Sequence, residues 1–398
     1  MNRVFVTGLG IISAIGNNLL ENHDSLVNSE SGLCRSKYLN SNYKNSFYFG
    51  EVKLSNESLF KLTNKQDSPG LTRTDLLAFK AVEEAIEDAK LTPEDISNYK
   101  TAFVSASTVG GMTQTDELYQ DSKGSDTIAS QFIESYSGHA HLLHLSKALK
   151  IKGLTDCINT ACSSSANAIM IGAKWIKSGR ADRVIVGGTD GLAKFTVNGF
   201  NSLQILSDEK CQPFDANRKG LNLGEGAAYL VLEREDLAKD KKKYAEISGY
   251  GNSNDAFHPS SLSADAIGVI KAMQEALTSA NIEANNISYI NAHGTATPNN
   301  DSTEILGITK IFGDTIPYSS TKPYTGHTLG AAGAIEAIFS ILSIQHKEIY
   351  GNLFFNHKIE GFHPPILKYQ PNTKVDHVLT NSFGFAGNCT SLLISKID

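Results

Sequence analysis

Cys162 stands in the string Asn159-Thr160-Ala161-Cys162-Ser163-Ser164-Ser165, ahead of a stretch whose apolar residues have helical spacing. That places a thiol at a small-residue turn opening a helix, where unpaired N–H groups and the helix dipole favour negative charge. A thiol so placed is expected to ionise more readily than the usual value of about 8.5 and to act as a nucleophile near neutral pH. Cys157 lies close by, but no His or third Cys joins the two at metal-ligand spacing. His293 follows an apolar segment in Asn291-Ala292-His293-Gly294-Thr295-Ala296-Thr297-Pro298, with Gly294 permitting a sharp turn. Sites gather at strand ends of this kind in α/β sheets. His327 lies between Gly326 and Thr328 at a helix entry, and Lys322, five positions earlier, would add a fixed positive charge if turned inward. Glu336, nine positions after His327, could balance that charge. The loop Asn381-Ser382-Phe383-Gly384-Phe385-Ala386-Gly387 alternates aromatic and tiny residues, which lets backbone N–H groups approach a ligand. Each feature also has an ordinary use: a small buried cysteine, a hydrogen-bonded core histidine, a surface lysine, a solvated glutamate, a plain turn. Residue type alone leaves both uses open.

The elements that must hold these groups follow from periodicity. Strands are expected at residues 4–8, 101–105, 155–159, 183–186, 227–232, 244–250, 287–291, 317–321, 378–382 and 391–395. Helices are expected at 76–91, 162–177, 264–280, 302–311 and 330–345. The strand at 183–186 is expected to stop at Gly187-Gly188, and residues 23–72 and 110–150 read as polar excursions, the second mostly helical. Strands alternating with helices predict an α/β fold with largely parallel sheets. The order of strand, polar loop, Gly/Ala/Ser cluster and apolar helix around Cys162 recurs around Thr325-Gly326-His327-Thr328-Leu329-Gly330-Ala331-Ala332-Gly333. Two pseudo-equivalent halves meeting there would bring Cys162 and His327 together; chance likeness of two Ala-rich helices is the other reading. The run Lys239-Asp240-Lys241-Lys242-Lys243 reads as a solvated turn between the halves.

Composition sets outer bounds. A chain of 398 residues exceeds one small core and suggests two or three domains or one large duplicated unit. Its 42 acidic and 36 basic residues give −6, which does not suit a general nucleic-acid binder. The five cysteines are odd in number and form no CxxC pair, so neither a zinc site nor a redox dithiol is expected and a reducing cytoplasm fits. The N-terminus lacks signal-peptide features, and no apolar run reaches the ~20 residues of a membrane span, so no membrane association is expected.

Thr160-Ala161-Cys162-Ser163-Ser164, His293 to Pro298, Thr321 to Glu336 and Asn381 to Gly387 occur in order. With them the chain resembles the elongating β-ketoacyl-[acyl-carrier-protein] synthases of the thiolase superfamily, from Val4 to the last strand. The resemblance implies a thiolase-like duplicated α/β fold in five layers, α-β-α-β-α. An N-terminal half, 1–243, would carry the nucleophile, and a C-terminal half, 244–398, the catalytic histidines. It implies a homodimer, or a heterodimer with a chain-length-factor-like subunit. Cys162 would accept the acyl group, His293 and His327 would be the catalytic pair, and Lys322 and Glu336 their charged partners. Phe385 would gate the site, its N–H and that of Cys162 forming the oxyanion hole. Thr295 and Thr297 would hold the pantetheine arm, and Val109 and Phe200 would line the acyl pocket. No permanently bound cofactor or metal is implied, because substrates arrive on the phosphopantetheine of acyl carrier protein. That partner is acidic, so a basic rim is expected, with Arg73, Lys80, Lys147, Lys150 and Lys152 as candidates and an ordinary solvated face as the other reading of each.

The implied reaction is decarboxylative condensation of malonyl-carrier with a Cys-bound acyl chain, in fatty-acid or polyketide/polyene elongation. Chain-initiating relatives carry Asn for one histidine, and thiolases carry a second catalytic cysteine that Cys389 does not match. Two other readings stay open: a specialised aryl-polyene or pigment-pathway ketosynthase, and a non-catalytic scaffold subunit that binds acyl-carrier. The gate departs from the usual Phe-Gly-Gly-Thr-Asn, reading Phe385-Ala386-Gly387-Asn388-Cys389. Ala386 is expected to stiffen the hinge, at about 1 kcal/mol where φ must be positive.

Overall fold

The computed structural model describes residues 3–68, 70–124 and 130–397. The described strands are β1 (Val4–Ile12), β2 (Thr101–Ala106), β3 (Thr155–Ile158), β4 (Arg183–Asp190), β5 (Gly226–Arg234), β6 (Ala245–Asn254), β7 (Tyr289–Asn291), β8 (Tyr318–Ser319), β9 (His377–Phe383) and β10 (Asn388–Ser395). They form one sheet in the order β3-β2-β4-β5-β1-β6-β10-β9-β7-β8. Read inward from either end, the order of the second five strands repeats that of the first with each number raised by five. The halves are therefore topological copies. They join where β1 and β6 pair antiparallel, Phe5 opposite Glu246 and Val6 opposite Ala245.

The pairing is mixed, which corrects the expectation of largely parallel sheets. Only the outer pairs β3–β2, β2–β4, β9–β7 and β7–β8 are parallel. The inner pairs are antiparallel: β5 returns beside β4 through the 191–225 segment, which holds the helix Lys194–Ser202, and β10 returns beside β9 through a short loop. Strand β4 also runs through Gly187 and Gly188 to Asp190. A Cβ at Gly187 would lie 2.0 Å from the Ala228 carbonyl oxygen of β5, and one at Gly188 2.8 Å from Ser165 Cβ and 3.0 Å from the Gly330 oxygen, so these glycines mark close packing and do not end the strand.

Period-two alternation divides the apolar side chains between cores. Ala228, Leu230 and Leu232 of β5 enter a central core, while Ala227, Tyr229 and Val231 face the helix Arg73–Asp88. In β10, Leu392 and Ile394 enter the same central core and Leu393 faces the helix Ile267–Ala280. The helices Ser164–Lys177 and Ala332–His346 fill that centre, touching each other and strands of both halves. The result is five layers: helix, sheet, paired helices, sheet, helix. Leu329–His346 is apolar and long enough to cross a membrane, but 89% of it is buried in this middle layer, which accounts for its composition.

The two halves share a packing device that periodicity did not reveal. A Cβ at Gly8 or Gly10 would come within 2.4 or 2.0 Å of the Ala85 or Ala81 carbonyl oxygen. Gly249 and Gly251 meet Ala276 and Ala272 in the same way at 2.3 and 2.0 Å. Of the polar excursions, 23–72 contains the helix Asn56–Leu62, and 110–150 contains the helices Thr115–Gly124 and Ala140–Leu149. Residues 69 and 125–129 of those excursions lie outside the described residues.

Candidate active site

After β3 the chain turns through Ala161, at φ +52°, and Cys162 directly precedes the Ser163 cap of the helix Ser164–Lys177. The turn is tied by Thr160 N–H to Ser164 Oγ at 2.9 Å and Ser164 N–H to the Ala161 oxygen at 3.1 Å. The helix Ala332–His346 abuts this turn. Ala334 N–H donates to Ser165 Oγ at 2.9 Å, and a Cβ at Gly333 would lie 2.7 Å from Ala166 N. The small residues at both helix starts thus permit a close crossing, and it carries His327 to Cys162.

His293 leaves the end of β7 on a backbone held by one carboxylate. His293 N–H and Gly294 N–H donate to the two oxygens of buried Glu304 at 2.8 Å each, with Gly294 at φ +38°. Glu304 also accepts from Asn381 Nδ2 at 3.1 Å. Asp301, one helical turn earlier, accepts from Phe214 N–H and Ala296 N–H at 2.7 and 3.1 Å. His327 follows Gly326 at φ +71° and is fixed by its N–H to the Asn222 oxygen at 2.7 Å. The two imidazoles meet edge to face, centroids 5.3 Å apart. A nitrogen of each lies with the Cys162 sulfur in a cluster whose members are within 4.8 Å of one another.

Lys322 is 1% exposed. Its Nζ reaches Glu336 Oε1 at 2.5 Å, His293 Nδ1 at 3.2 Å and the His293 carbonyl oxygen. Three acceptors match the three N–H bonds of an ammonium. Donation to Nδ1 leaves the ring proton of His293 on Nε2. Burial, reinforced by Lys322, holds both histidines well below 6.5, so the rings are neutral. Burial lifts Glu336 to about 7, with Lys322 pulling the other way.

The Cys162 thiol differs from expectation. Burial pushes it up to about 11, while Lys322 and the Phe385 N–H pull it down without prevailing. The helix N-terminus does not deliver a resting thiolate here, because the sulfur is too deeply desolvated.

The loop between β9 and β10 closes over the sulfur. A Cβ at Gly384 would sit 2.7 Å from the Thr160 oxygen and 3.2 Å from Cys162 N, so glycine lets the loop lie on the Cys162 turn. The Phe385 N–H bonds to Cys162, and its ring stacks on Phe200 at 5.7 Å. Ala386 holds φ +61°, the left-handed conformation in which an alanine is strained.

Two cavities meet at Cys162 and Phe385. One, of about 410 Å³, is lined by His293, His327, Thr295 and Thr297. Thr295 and Thr297 hydroxyls lie 2.9 Å apart on its wall. The other, of about 430 Å³, is lined by Val109, Phe200, Leu203 and Leu329. The sulfur therefore faces one cavity of mixed lining that carries the histidines and threonines, and a second, apolar pocket.

The models of the beta-ketoacyl synthase N-terminal and C-terminal domains match residues 1–238 and 244–356. The chain belongs to the beta-ketoacyl synthase family. It is 31% identical over 413 residues to 3-oxoacyl-[acyl-carrier-protein] synthase 2 of Staphylococcus aureus (strain N315), covering 100% of this chain and 99% of that protein. Among solved structures, the ishigamide ketosynthase/chain length factor superposes with a TM-score of 0.92 at 26% identity, each chain fully covered. A ketosynthase from Xenorhabdus doucetiae, in complex with its chain length factor, gives 0.85 at 31%, covering 100% of this chain and 98% of that one. The ketoacyl synthase shares their thiolase-like duplicated fold.

Three carboxylates of this ketoacyl synthase went unseen in its sequence. Asp301 and Glu304 hold the His293 turn. Asp190 accepts from Ser107 Oγ at 2.6 Å, Val109 N–H at 2.8 Å and Gly330 N–H at 2.7 Å, tying the apolar pocket to the His327 segment. The available signals were an acid ending a buried strand and a pair of acids three apart after the His293 motif. Arg73 corrects the expected basic rim. It is buried and bonded to Glu225 at 2.6 Å and to the Val52 and Leu54 oxygens, because a buried guanidinium needs a carboxylate and full hydrogen bonding. Lys80 is half-buried beside Glu84, Lys147, Lys150 and Lys152 are exposed, and none of the four lines the cavity leading to Cys162. The Cys162, His293 and His327 donor set suits a thiophilic cation, but the Lys322 ammonium beside His293 opposes a second positive charge.

Proposed function

We propose that this ketoacyl synthase elongates acyl chains borne on an acyl carrier protein, condensing a Cys162-bound acyl group with malonyl-carrier as CO₂ leaves. The observation that carries this reading is the Cys162 sulfur at the junction of two cavities, beside two neutral imidazoles. In the first half-reaction the pantetheine arm lies along Thr295 and Thr297. The thioester carbonyl turns its oxygen to the N–H groups of Cys162 and Phe385. The thiol passes its proton to a neighbouring neutral imidazole as the sulfur attacks. The carrier thiolate departs with that proton, and the acyl chain enters the pocket of Val109 and Phe200. Donors placed where the oxyanion develops are a large catalytic contribution in acyl transfer.

In the second half-reaction malonyl-carrier takes the arm's place. His293 and His327 each donate an N–H to the thioester oxygen as the C–CO₂ bond breaks and its electron pair forms the enolate. The enolate carbon attacks the acyl carbonyl on Cys162. The C–S bond breaks, releasing 3-ketoacyl-carrier, and the sulfur regains a proton. Lys322 and Glu336 keep the His293 proton on Nε2, where it is needed. The reaction so written uses no resident cofactor.

The working protein is a dimer of this chain or a heterodimer with a chain-length-factor-like subunit, acting in the cytoplasm, with 1–243 and 244–398 as its two halves. The β3 edge with exposed Thr155 and Asp156, flanked by exposed Leu143 and Leu154, supports a pairing surface. A specialised pathway is the second reading, favoured by the altered gate and by the 31% identity to a ketosynthase that partners a chain length factor. The intact Cys162, His293 and His327 cluster speaks against a non-catalytic scaffold.

Incubation with saturated and conjugated acyl-carriers, read by intact mass, tests the reading. A mass gain lost in Cys162→Ala, followed by 3-ketoacyl-carrier on adding malonyl-carrier, is expected. No gain with any acyl-carrier overturns it, and efficient elongation of saturated long chains removes the specialised pathway.

A further inference from the structure

Asn388 follows the loop residues Phe385–Gly387 and opens β10. Its carboxamide oxygen is shared between the two halves of the fold. Ser163 Oγ lies 2.7 Å from it and Asn167 Nδ2 2.9 Å, both from the start of the nucleophile's helix. Asn252 Nδ2 reaches it from β6 at 3.1 Å, and Thr390 Oγ1 from β10 at 3.2 Å. The network closes on itself. Asn167 Nδ2 donates to Thr160 Oγ1 at 2.8 Å, and Asn167 Oδ1 accepts from Asn252 Nδ2 at 3.0 Å and Thr390 Oγ1 at 2.9 Å. The backbone carbonyl of Asn388 meanwhile accepts from Gly384 N–H at 2.7 Å, directly before Phe385. One residue thus grips the gate with its main chain and the neighbour of Cys162 with its side chain.

An oxyanion hole built from two N–H groups on separate segments stabilises charge only while their spacing is fixed. Here one N–H belongs to the Cys162 turn and the other to the separate loop that lies over the sulfur. We infer that Asn388 is a positioning residue that sets the separation of these two N–H groups and returns Phe385 to the same place after the gate opens. The carboxamide oxygen reaches across to Asn167 Nδ2 and to Ser163 Oγ, whose single proton is shared with the Thr160 carbonyl oxygen at 2.7 Å. The inference rests on the condensing reaction proposed above.

The half-reactions separate this role from a merely structural one. Acylation of Cys162 needs the paired N–H groups, whereas decarboxylation of malonyl-carrier needs the imidazoles. In Asn388→Leu, acylation by acyl-carrier slows on the order of 10²-fold, the effect of misplacing a reacting group by about 1 Å. Malonyl-carrier decarboxylation by the same protein stays at the wild-type rate. Asn388→Asp keeps an acceptor oxygen in place and restores most of the acylation. Ser163→Ala removes the partner from the other side with little change in volume, and it shows the same one-sided loss even where Asn388→Leu does not fold. Equal loss of both half-reactions, or unchanged acylation in Asn388→Leu or Ser163→Ala, overturns the inference. A wild-type protein silent in both half-reactions removes the condensing reading itself.

Discussion

A thiol held up near 11 and two imidazoles held well below 6.5 share one small space, so at rest the site holds three uncharged groups beside one buried ion pair. Desolvation imposes this, since each charge in the pocket costs more than the neighbours return, and the Lys322 ammonium makes an imidazolium beside it worse still. Alkylation of the free enzyme at Cys162 by iodoacetamide, followed by mass spectrometry, should therefore rise about tenfold per pH unit from pH 7 to 9. A plateau already reached at neutral pH would mean a preformed thiolate. The same shifts act on stability in opposite senses. His293 and His327 refuse protons that the unfolded chain accepts below about 6.5, so their contribution is full above that pH and is lost as pH falls below it. Glu304 and Glu336, both lifted to about 7, favour the fold at low pH and lose that contribution as pH rises from about 4.5 through 7. Cys162, His293, His327, Lys322 and Glu336, which the structure brings together, were legible because each stands in a short motif. Asp190, Asp301 and Glu304 were not, because they act through hydrogen bonds to backbone distant in sequence, as Asp190 does with Gly330.

At the level of elements, the crossing of the helices Ser164–Lys177 and Ala332–His346 decides where the catalytic groups meet. Gly333→Ala tests that crossing, since its Cβ would lie 2.7 Å from Ala166 N. A loss of about 1–3 kcal/mol in urea unfolding is expected from overpacking. An unchanged midpoint would show that the crossing is slack. The expected strands and helices lie within a few residues of the observed ones, because most of them bury at least one face, but the helix Lys194–Ser202, with Val197 as its one buried residue, was not expected. Strand direction did not follow, because nothing in the spacing shows that the 191–225 segment and the gate loop bring the chain back antiparallel. The duplication was half visible. The Gly/Ala/Ser helix starts announced it, while Gly8, Gly10, Gly249 and Gly251 became its plainest mark only once their helices lay against them.

For the molecule as a whole, duplication is what builds the site, with Cys162 on the first set of five strands and the imidazoles on the second. The same arrangement leaves β3 at one end of the sheet with an open edge and apolar neighbours. Light scattering should find the wild-type chain as a dimer, with itself or with a partner subunit, and Leu143→Lys with Leu154→Lys as a monomer; a variant that stays dimeric would move the pairing surface elsewhere. The central claim is that the sulfur of one half accepts the acyl chain and the imidazoles of the other half decarboxylate the extender. Its most direct test is to measure both half-reactions in wild type, His293→Ala and His327→Ala. Each histidine variant should still acquire the acyl mass on Cys162 while losing malonyl-carrier decarboxylation far more severely. Equal loss of both rates, or decarboxylation that survives without either imidazole, would contradict the account.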